Sequence, residues 1–156
     1  MSMIFTDWLS SGPIKDRAVI TLSLPSELGY EKLIWRLVAW SAPRLQLPPA
    51  RIADLQTALC EACINAIEHG NQGRPQLRVE ITLVLAADYI EAVVRDQGVV
   101  RFSPSPTPAA SIEQKLAGHA PARGMGLLLI QQLVDEAHFI SDDSGPGNSF
   151  CLRMKR

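Results

Sequence analysis

The chain has 156 residues, 47% of them hydrophobic, with a formal net charge of −1 and three cysteines. That length suits one domain able to bury about 70% of its unfolded surface, and the near-neutral, mixed charge excludes nucleic acid or an anionic membrane as the main partner, because both call for a basic patch. Three cysteines make no disulfide framework. There is no signal peptide, and the best apolar run, Leu33 to Trp40, is broken by Arg36, so a cytoplasmic location is expected.

Residues 1–16 carry Ile4, Phe5, Trp8 and Leu9 before Ser-Ser-Gly-Pro-like turn chemistry, and read as an N-terminal extension to a domain spanning 17–156. Ala18 to Leu24 is β-branched and alternating, which predicts a strand. Pro25-Ser26 opens a predicted helix over Leu28 to Ala42, and Pro43 to Pro49 reads as a linker. A long helix follows from Pro49 or Ala50 to His69, then turn residues from Asn71 to Pro75. Leu77 to Ala86 alternates apolar and polar side chains, and Tyr89 to Arg95 is its hairpin partner. Val99 to Arg123, with Pro104, Pro106, Pro108 and Pro121, is a long loop of the kind that forms lids. Helical periodicity returns from Met125 to Glu136, and Ala137 to Ser141 with Phe150 to Met154 read as a closing hairpin. The expected architecture is α+β, a two-layer sandwich with a mixed, mostly antiparallel sheet of four or five strands and helices on one face.

The most informative stretch is L-Q-T-A-L-C-E-A-C-I-N-A-I-E-H-G-N, Leu55 to Asn71. Its apolar residues occupy most of a helix circumference, and Gly70 suits a left-handed C-cap. Glu61 and Asn65 stand four residues apart, on one face, and Glu68 and His69 extend that face. Polar groups on a mostly buried helix are either satisfied internally or line a ligand cavity. Cys60 and Cys63 form a C-x-x-C inside this helix, but with no second pair they read as small buried side chains rather than a zinc or redox site.

Two further signatures follow. R-D-Q-G, Arg95 to Gly98, puts the acceptor-only carboxylate of Asp96 at a strand end, suited to an exocyclic amine, with Gly98 allowing close backbone approach to a flat ring. A-R-G-M-G-L-L-L-I, Ala122 to Ile130, sets two glycines at a helix start, where exposed N–H groups bind phosphate.

Taken in this order, the three motifs resemble the Bergerat-type ATPase superfamily of gyrase B, histidine kinases and mismatch-repair ATPases. Within it, E-A-C-I-N-A-I-E-H-G-N, R-D-Q-G, R-G-M-G-L and the ending G-N-S-F-C-L-R-M-K are similar to the small bacterial anti-sigma-factor serine kinases, over roughly Ala18 to Arg156. The resemblance implies that Glu61 is the general base and that Asn65 gives its amide oxygen to Mg²⁺. It implies that Asp96, with Gly98, receives the adenine amine. It places Arg123, Gly124, Met125 and Gly126 around the phosphates of ATP, and makes residues 99–122 the ATP lid. It implies a protein serine/threonine kinase that phosphorylates a STAS-type antagonist, holds a sigma factor or another target, and forms homodimers in many members. The run Val99-Val100-Arg101 departs from the family pattern and favours a second reading, an ATP-binding module that sequesters its partner without phosphotransfer. A detached histidine-kinase catalytic domain fits less well, because no phosphoacceptor helix pair precedes the motifs. Trp8, Trp35 and Trp40 are candidates for a partner surface, with core packing the alternative use.

Overall fold

The computed structural model describes residues 17–99, 125–140 and 145–156. The N-terminal extension and the lid beyond Val99 lie outside these residues, as do Arg123, Gly124 and Trp8.

Strand β1 spans Ala18–Pro25, with Ile20, Leu22 and Leu24 turned inward and Val19, Thr21 and Ser23 outward. Helix α1 begins only at Glu31, later than the expected Leu28, because Gly29 adopts φ +107° and breaks the helical path before it. Helix α1 also ends later, at Leu45, with Pro43 inside it. Proline there forfeits one N–H bond, to the carbonyl of the exposed Ala39. Arg44 and Leu45 are buried and hold the last turn in place, and Gln46 closes it in the left-handed conformation, φ 52°. The expected linker is thus reduced to residues 46–48.

Helix α2 runs from Pro49 to Asn65, with proline at its first position, where the missing N–H costs nothing. The expected α-helix to His69 does not persist. Residues Ala66–Gly70 widen into a π-helical turn, and the Asn71 N–H donates to the Ala66 carbonyl at 2.8 Å. Such widenings of a helix concentrate at functional sites. This one leaves Glu68 and His69 exposed, so they do not continue the Glu61/Asn65 face. The left-handed residues that reverse the chain are Gln72 and Gly73, φ 55° and 65°; Gly70, expected as the left-handed cap, has no positive φ.

Strands β2 (Arg78–Leu85) and β3 (Tyr89–Arg95) form the expected hairpin, with Leu85 opposite Ile90. Helix α3 covers Met125–Leu133, and the chain turns at once into β4 (Glu136–Ile140), then β5 (Ser149–Lys155). The five strands lie in the order β1-β2-β3-β5-β4, every neighbouring pair antiparallel. The last strand is therefore inserted between β3 and β4. The core lies between one face of this sheet and the helices: Ile34 and Val38 of α1, Leu55 and Leu59 of α2 and Ile130 of α3 cover Ile81, Leu83, Ile90 and Leu152. Burying each such side chain contributes about 1.5–3 kcal/mol. Among the described residues no helix is long and apolar enough to cross a membrane. Trp35 is 45% exposed and Trp40 half-buried, so Trp35 is not a core residue.

Candidate functional site

Helix α2 is buried along Leu55, Ala58, Leu59, Ala62 and Cys63, and this fixes its rotation. Glu61 and Asn65 are then the partly exposed polar residues on the side facing α3. A Cβ built on Gly126, in the first turn of α3, would stand 3.0 Å from Glu61 Oε2 and 3.2 and 3.3 Å from Asn65 Nδ2 and Oδ1. The carboxylate and the carboxamide thus converge on the helix start that carries the second glycine signature. The first N–H groups of a helix have no partner within it and carry the positive end of its dipole. A side chain at position 126 would fill the space these three groups share.

Asn65 Nδ2 is buried and makes no hydrogen bond, a loss of about 1–3 kcal/mol for an amide in a folded protein. An acceptor supplied by a ligand would remove that cost. This orphan donor, beside a carboxamide oxygen and a helix N-terminus, fits a phosphate group with a magnesium ion, which takes one or two oxygens from protein and the rest from phosphate and water. Among the described residues no group of three or more His, Cys, Asp and Glu side chains could hold a metal by itself.

The second centre is Asp96, one residue past β3 and 4% exposed. Its N–H donates to the Asn148 carbonyl at 3.0 Å, extending the β3–β5 ladder by one residue. Its Oδ1 accepts from the N–H groups of Gly98 and Asn148, each at 3.0 Å, and the Asn148 side-chain amide lies 3.3 Å from Oδ1 and 3.1 Å from Oδ2. Close packing around Asp96 demands glycine at three places. A Cβ on Gly70 would overlap the Asp96 carboxylate, one on Gly98 would overlap the Gly70 carbonyl, and one on Gly147 would overlap the Asp96 carbonyl. Gly70 is thus required for approach rather than for a left-handed cap. It brings the end of the α2 turn against the strand-end carboxylate.

A third set of residues clamps these parts together and was not singled out by motif. Asn71, 1% exposed, accepts from the Gln97 N–H at 2.8 Å and donates to the Arg78 carbonyl at 2.9 Å. The Arg78 N–H donates to Gln97 Oε1 at 2.8 Å. The ring of bonds ties the end of the π-helical turn to the start of β2 and to the Asp96–Gly98 turn. The sequence signal was the polar Asn71 directly after Gly70, read there as turn chemistry. Gly147 and Asn148 begin the closing G-N-S-F-C-L-R-M-K motif, which assigns them no contact with Asp96.

Helix α2 carries Glu61 and Asn65 near its end and passes through the π-helical turn to Gly70, so one continuous segment links the centre at Gly126 to the centre at Asp96. Of the expected site residues, Glu61, Asn65 and Gly126 meet at one point, and Asp96 and Gly98 meet at the other. Met125 begins α3. Arg123 and Gly124 are outside the described residues.

The C-x-x-C plays no part in this arrangement. Cys63 is buried, and Cys60 Sγ reaches the Glu31 carbonyl at 3.5 Å. Burial, with the nearby Glu31 carboxylate, pushes the Cys60 thiol up to about 11, and burial raises that of Cys63 as well. Both are held as neutral thiols, poor nucleophiles and poor ligands.

The model of the histidine kinase-like ATPase domain matches residues 24–155. A serine-protein kinase RsbW from Bacillus mycoides is 30% identical over 128 residues, 80% of this chain and 78% of that protein. An anti-sigma F factor from Bacillus cytotoxicus is 30% identical over 107 residues, 64% of this chain and 68% of that protein. A crystal structure of the RsbU and RsbW domains of a Mycobacterium tuberculosis protein has the same fold, with a TM-score of 0.60 at 19% identity, over 88% of this chain and 31% of that longer one. With the two glycine-lined centres joined by one helix, these likenesses establish that the chain belongs to the histidine kinase-like ATPase domain family, among the bacterial anti-sigma-factor serine kinases.

Proposed function

We propose that this protein is an ATP-dependent serine/threonine protein kinase acting in a partner switch. It phosphorylates a STAS-type antagonist and, when that antagonist does not compete, holds a sigma factor or another regulated protein. The observation that carries the reading is the convergence of the Glu61 carboxylate and the Asn65 carboxamide on the glycine at the start of α3. This proximity supports reading Glu61 as the base and Asn65 as the metal-ligating oxygen beside the phosphoryl group.

In this reading the adenine amine is accepted by Asp96. The N–H groups at the start of α3, together with Arg123 and Gly124, hold the phosphates. Asn65 Oδ1 would hold Mg²⁺, which when bound would supply charge neutralisation at the phosphates. Glu61 orients the acceptor hydroxyl and takes its proton as the serine oxygen bonds to the γ-phosphorus and the bond to the β,γ-bridging oxygen breaks. Phosphoryl transfer asks little covalent chemistry of the protein, and positioning with charge stabilisation accounts for most of the catalysis. One carboxylate at the hydroxyl is therefore sufficient.

The test is incubation of purified protein with γ-labelled ATP, Mg²⁺ and a lysate of the source organism, with Glu61→Ala in parallel. A small protein labelled by the wild type alone, with acid-stable label, supports the kinase. ATP binding with no labelled protein would instead point to a module that sequesters its partner without chemistry. The homodimer expected from the family is tested separately by sedimentation of the purified chain.

A further inference from the structure

A cavity of about 600 Å³ lies between the loop that joins β1 to α1 and the turn that joins α2 to β2. Ser26, Glu27 and Leu28 form one wall, with Ile67, Glu68 and Pro75 opposite. Glu61, Asn65, Asp96 and Gly126 take no part in its lining, so it is separate from both centres described above. Ser26 continues the β1–β2 pairing one residue past β1, its N–H donating to the Leu77 carbonyl at 3.0 Å. Strand alternation then turns its side chain to the face of Leu22 and Leu24, toward the helix layer and Ile67. Ser26 is 1% exposed, and its Oγ makes no hydrogen bond. A buried hydroxyl without a partner is a cost that folded proteins normally avoid. The Glu27 and Glu68 side chains are exposed and, among the described residues, hold no hydrogen bond or ion pair. The basic residues next to these walls are committed elsewhere: Arg74 donates to Gln72 Oε1 at 2.9 Å, and Arg78 donates to Ser23 Oγ and the Ser23 carbonyl. Leu28, 56% exposed, joins Ile67 and Pro75 in supplying carbon surface.

We propose that this cavity is a binding site for a guanidinium group on an apolar stem. A guanidinium is planar, permanently charged and carries five N–H donors, so one group can serve the Ser26 hydroxyl oxygen and both carboxylates. An anion would meet two like charges. An uncharged ligand could bond to the hydroxyl but would leave Glu27 and Glu68 without a counter-charge. The stem lies on Leu28, Ile67 and Pro75, as long cationic side chains lie along apolar surface with the charged head near water. The π-helical turn contributes to this cavity through Ile67 and Glu68 and reaches Asp96 through Gly70. The widening that turns Glu68 away from Glu61 thus gives that carboxylate a use of its own. A free alkylguanidine and an arginine side chain of another protein offer the same chemistry, and the titrations below separate them. Because the cavity shares no residue with the nucleotide centres, its occupancy is measured without ATP.

The test is a nuclear magnetic resonance titration of the isotope-labelled full chain with n-butylguanidinium and with n-butylurea, its uncharged isostere. The cation is expected to give saturable shifts of the Ser26, Glu68 and Gly73 amides and to bind about fivefold more tightly than the urea, as exposed ion pairs allow. Replacing both carboxylates, Glu27→Gln with Glu68→Gln, should bring that ratio to within about twofold of unity. Ser26→Ala should have two effects of opposite sign. Binding of the cation weakens by about tenfold, the worth of a hydrogen bond to a charged group, while the urea midpoint of the unliganded protein rises, because a buried hydroxyl without a partner is gone. A hydroxyl with a purely structural role would lower that midpoint. Tighter binding of N-acetylarginine N-methylamide than of n-butylguanidinium assigns the site to an arginine of a protein, and the reverse order assigns it to a free alkylguanidine. Equal affinity for the cation and the urea overturns the proposal, as do shifts no larger than those sodium chloride produces at the same concentration. So does a preference for the cation that survives in the folded double glutamine variant.

Discussion

Gly70→Ala separates steric approach from backbone conformation. Gly70 lies in the π-helical turn without a positive φ, so alanine suits its backbone and in an unobstructed helix would stabilise it by about 1 kcal/mol. Here the added Cβ would overlap the Asp96 carboxylate and lie 2.7 Å from Asp96 Cβ. Retreat is blocked, because the Gly70 carbonyl already packs against Gly98. Overpacking of this kind costs about 1–3 kcal/mol, so the net loss of folding stability should be about 0–2 kcal/mol after the helical gain. The effect on the ligand should be larger. An Asp96 carboxylate pushed from its place loses a charge-assisted bond to the base, about 1.5–3 kcal/mol, or about 10–100-fold in Kd. Urea unfolding and ATP titration of wild type, Gly70→Ala, Asp96→Ala and the double variant read both quantities. Asp96→Ala deletes the carboxylate and leaves only the Cβ contact, so adding Gly70→Ala to it should cost much less than adding it to the wild type. A Gly70→Ala protein with an unchanged urea midpoint and ATP affinity within twofold of wild type would refute the close-approach argument.

Glu61→Gln keeps the shape of the side chain and removes its basicity. Phosphotransfer should fall by about 10²–10⁴-fold with ATP affinity unchanged, and a normal turnover would show that Glu61 is not the base. Asn65→Ala should abolish the increment that Mg²⁺ adds to ATP affinity, leaving the Mg²⁺-free affinity near that of wild type; titrations with and without the ion measure this directly. The cysteines predict a sign for alkaline pH. Their raised folded-state pKa values mean that the folded protein keeps its thiol protons after the unfolded chain has lost them. Unfolding free energy should therefore be insensitive to these groups below the ordinary thiol value of 9.0 and fall as pH rises from there toward about 11, where Cys60 itself titrates. Stability that rises over that interval would contradict the burial of Cys60 and Cys63, as would rapid alkylation of both in the folded protein at neutral pH.

Much of the fold follows from local pattern. The alternation over Ala18–Leu24, Leu77–Ala86 and Tyr89–Arg95 specifies strands because the side-chain period in a strand is two. The hairpin between the latter two follows from a connection too short for anything else. The apolar circumference of Leu55–Ile67 requires a buried helix, and that burial is what makes Glu61 and Asn65 conspicuous. The main residues of the candidate site were legible because they lie in short contiguous motifs, while each centre draws residues from more than one motif.

What pattern did not reveal depends on parts distant in sequence. The extension of α1 through Pro43 rests on the burial of Arg44 and Leu45, a tertiary term that outweighs the penalty of one proline. The widening of α2 at Ala66–Gly70 is invisible to a helical period, and it turns Glu68 and His69 outward while bringing Gly70 to Asp96. Asn71, Gln97 and Arg78 form a clamp only after the turn, β2 and the end of β3 are adjacent. The same holds for Asn148, which reads as a turn residue until β5 enters the sheet between β3 and β4 and carries it to the carboxylate 52 positions earlier in the chain. The amino-acid sequence by itself determined which residues can do chemistry, since charge, amide and glycine are properties of the side chain. Only the tertiary structure decided which of them stand together, because strand order and helix rotation are chosen by burying one common core rather than by any single segment.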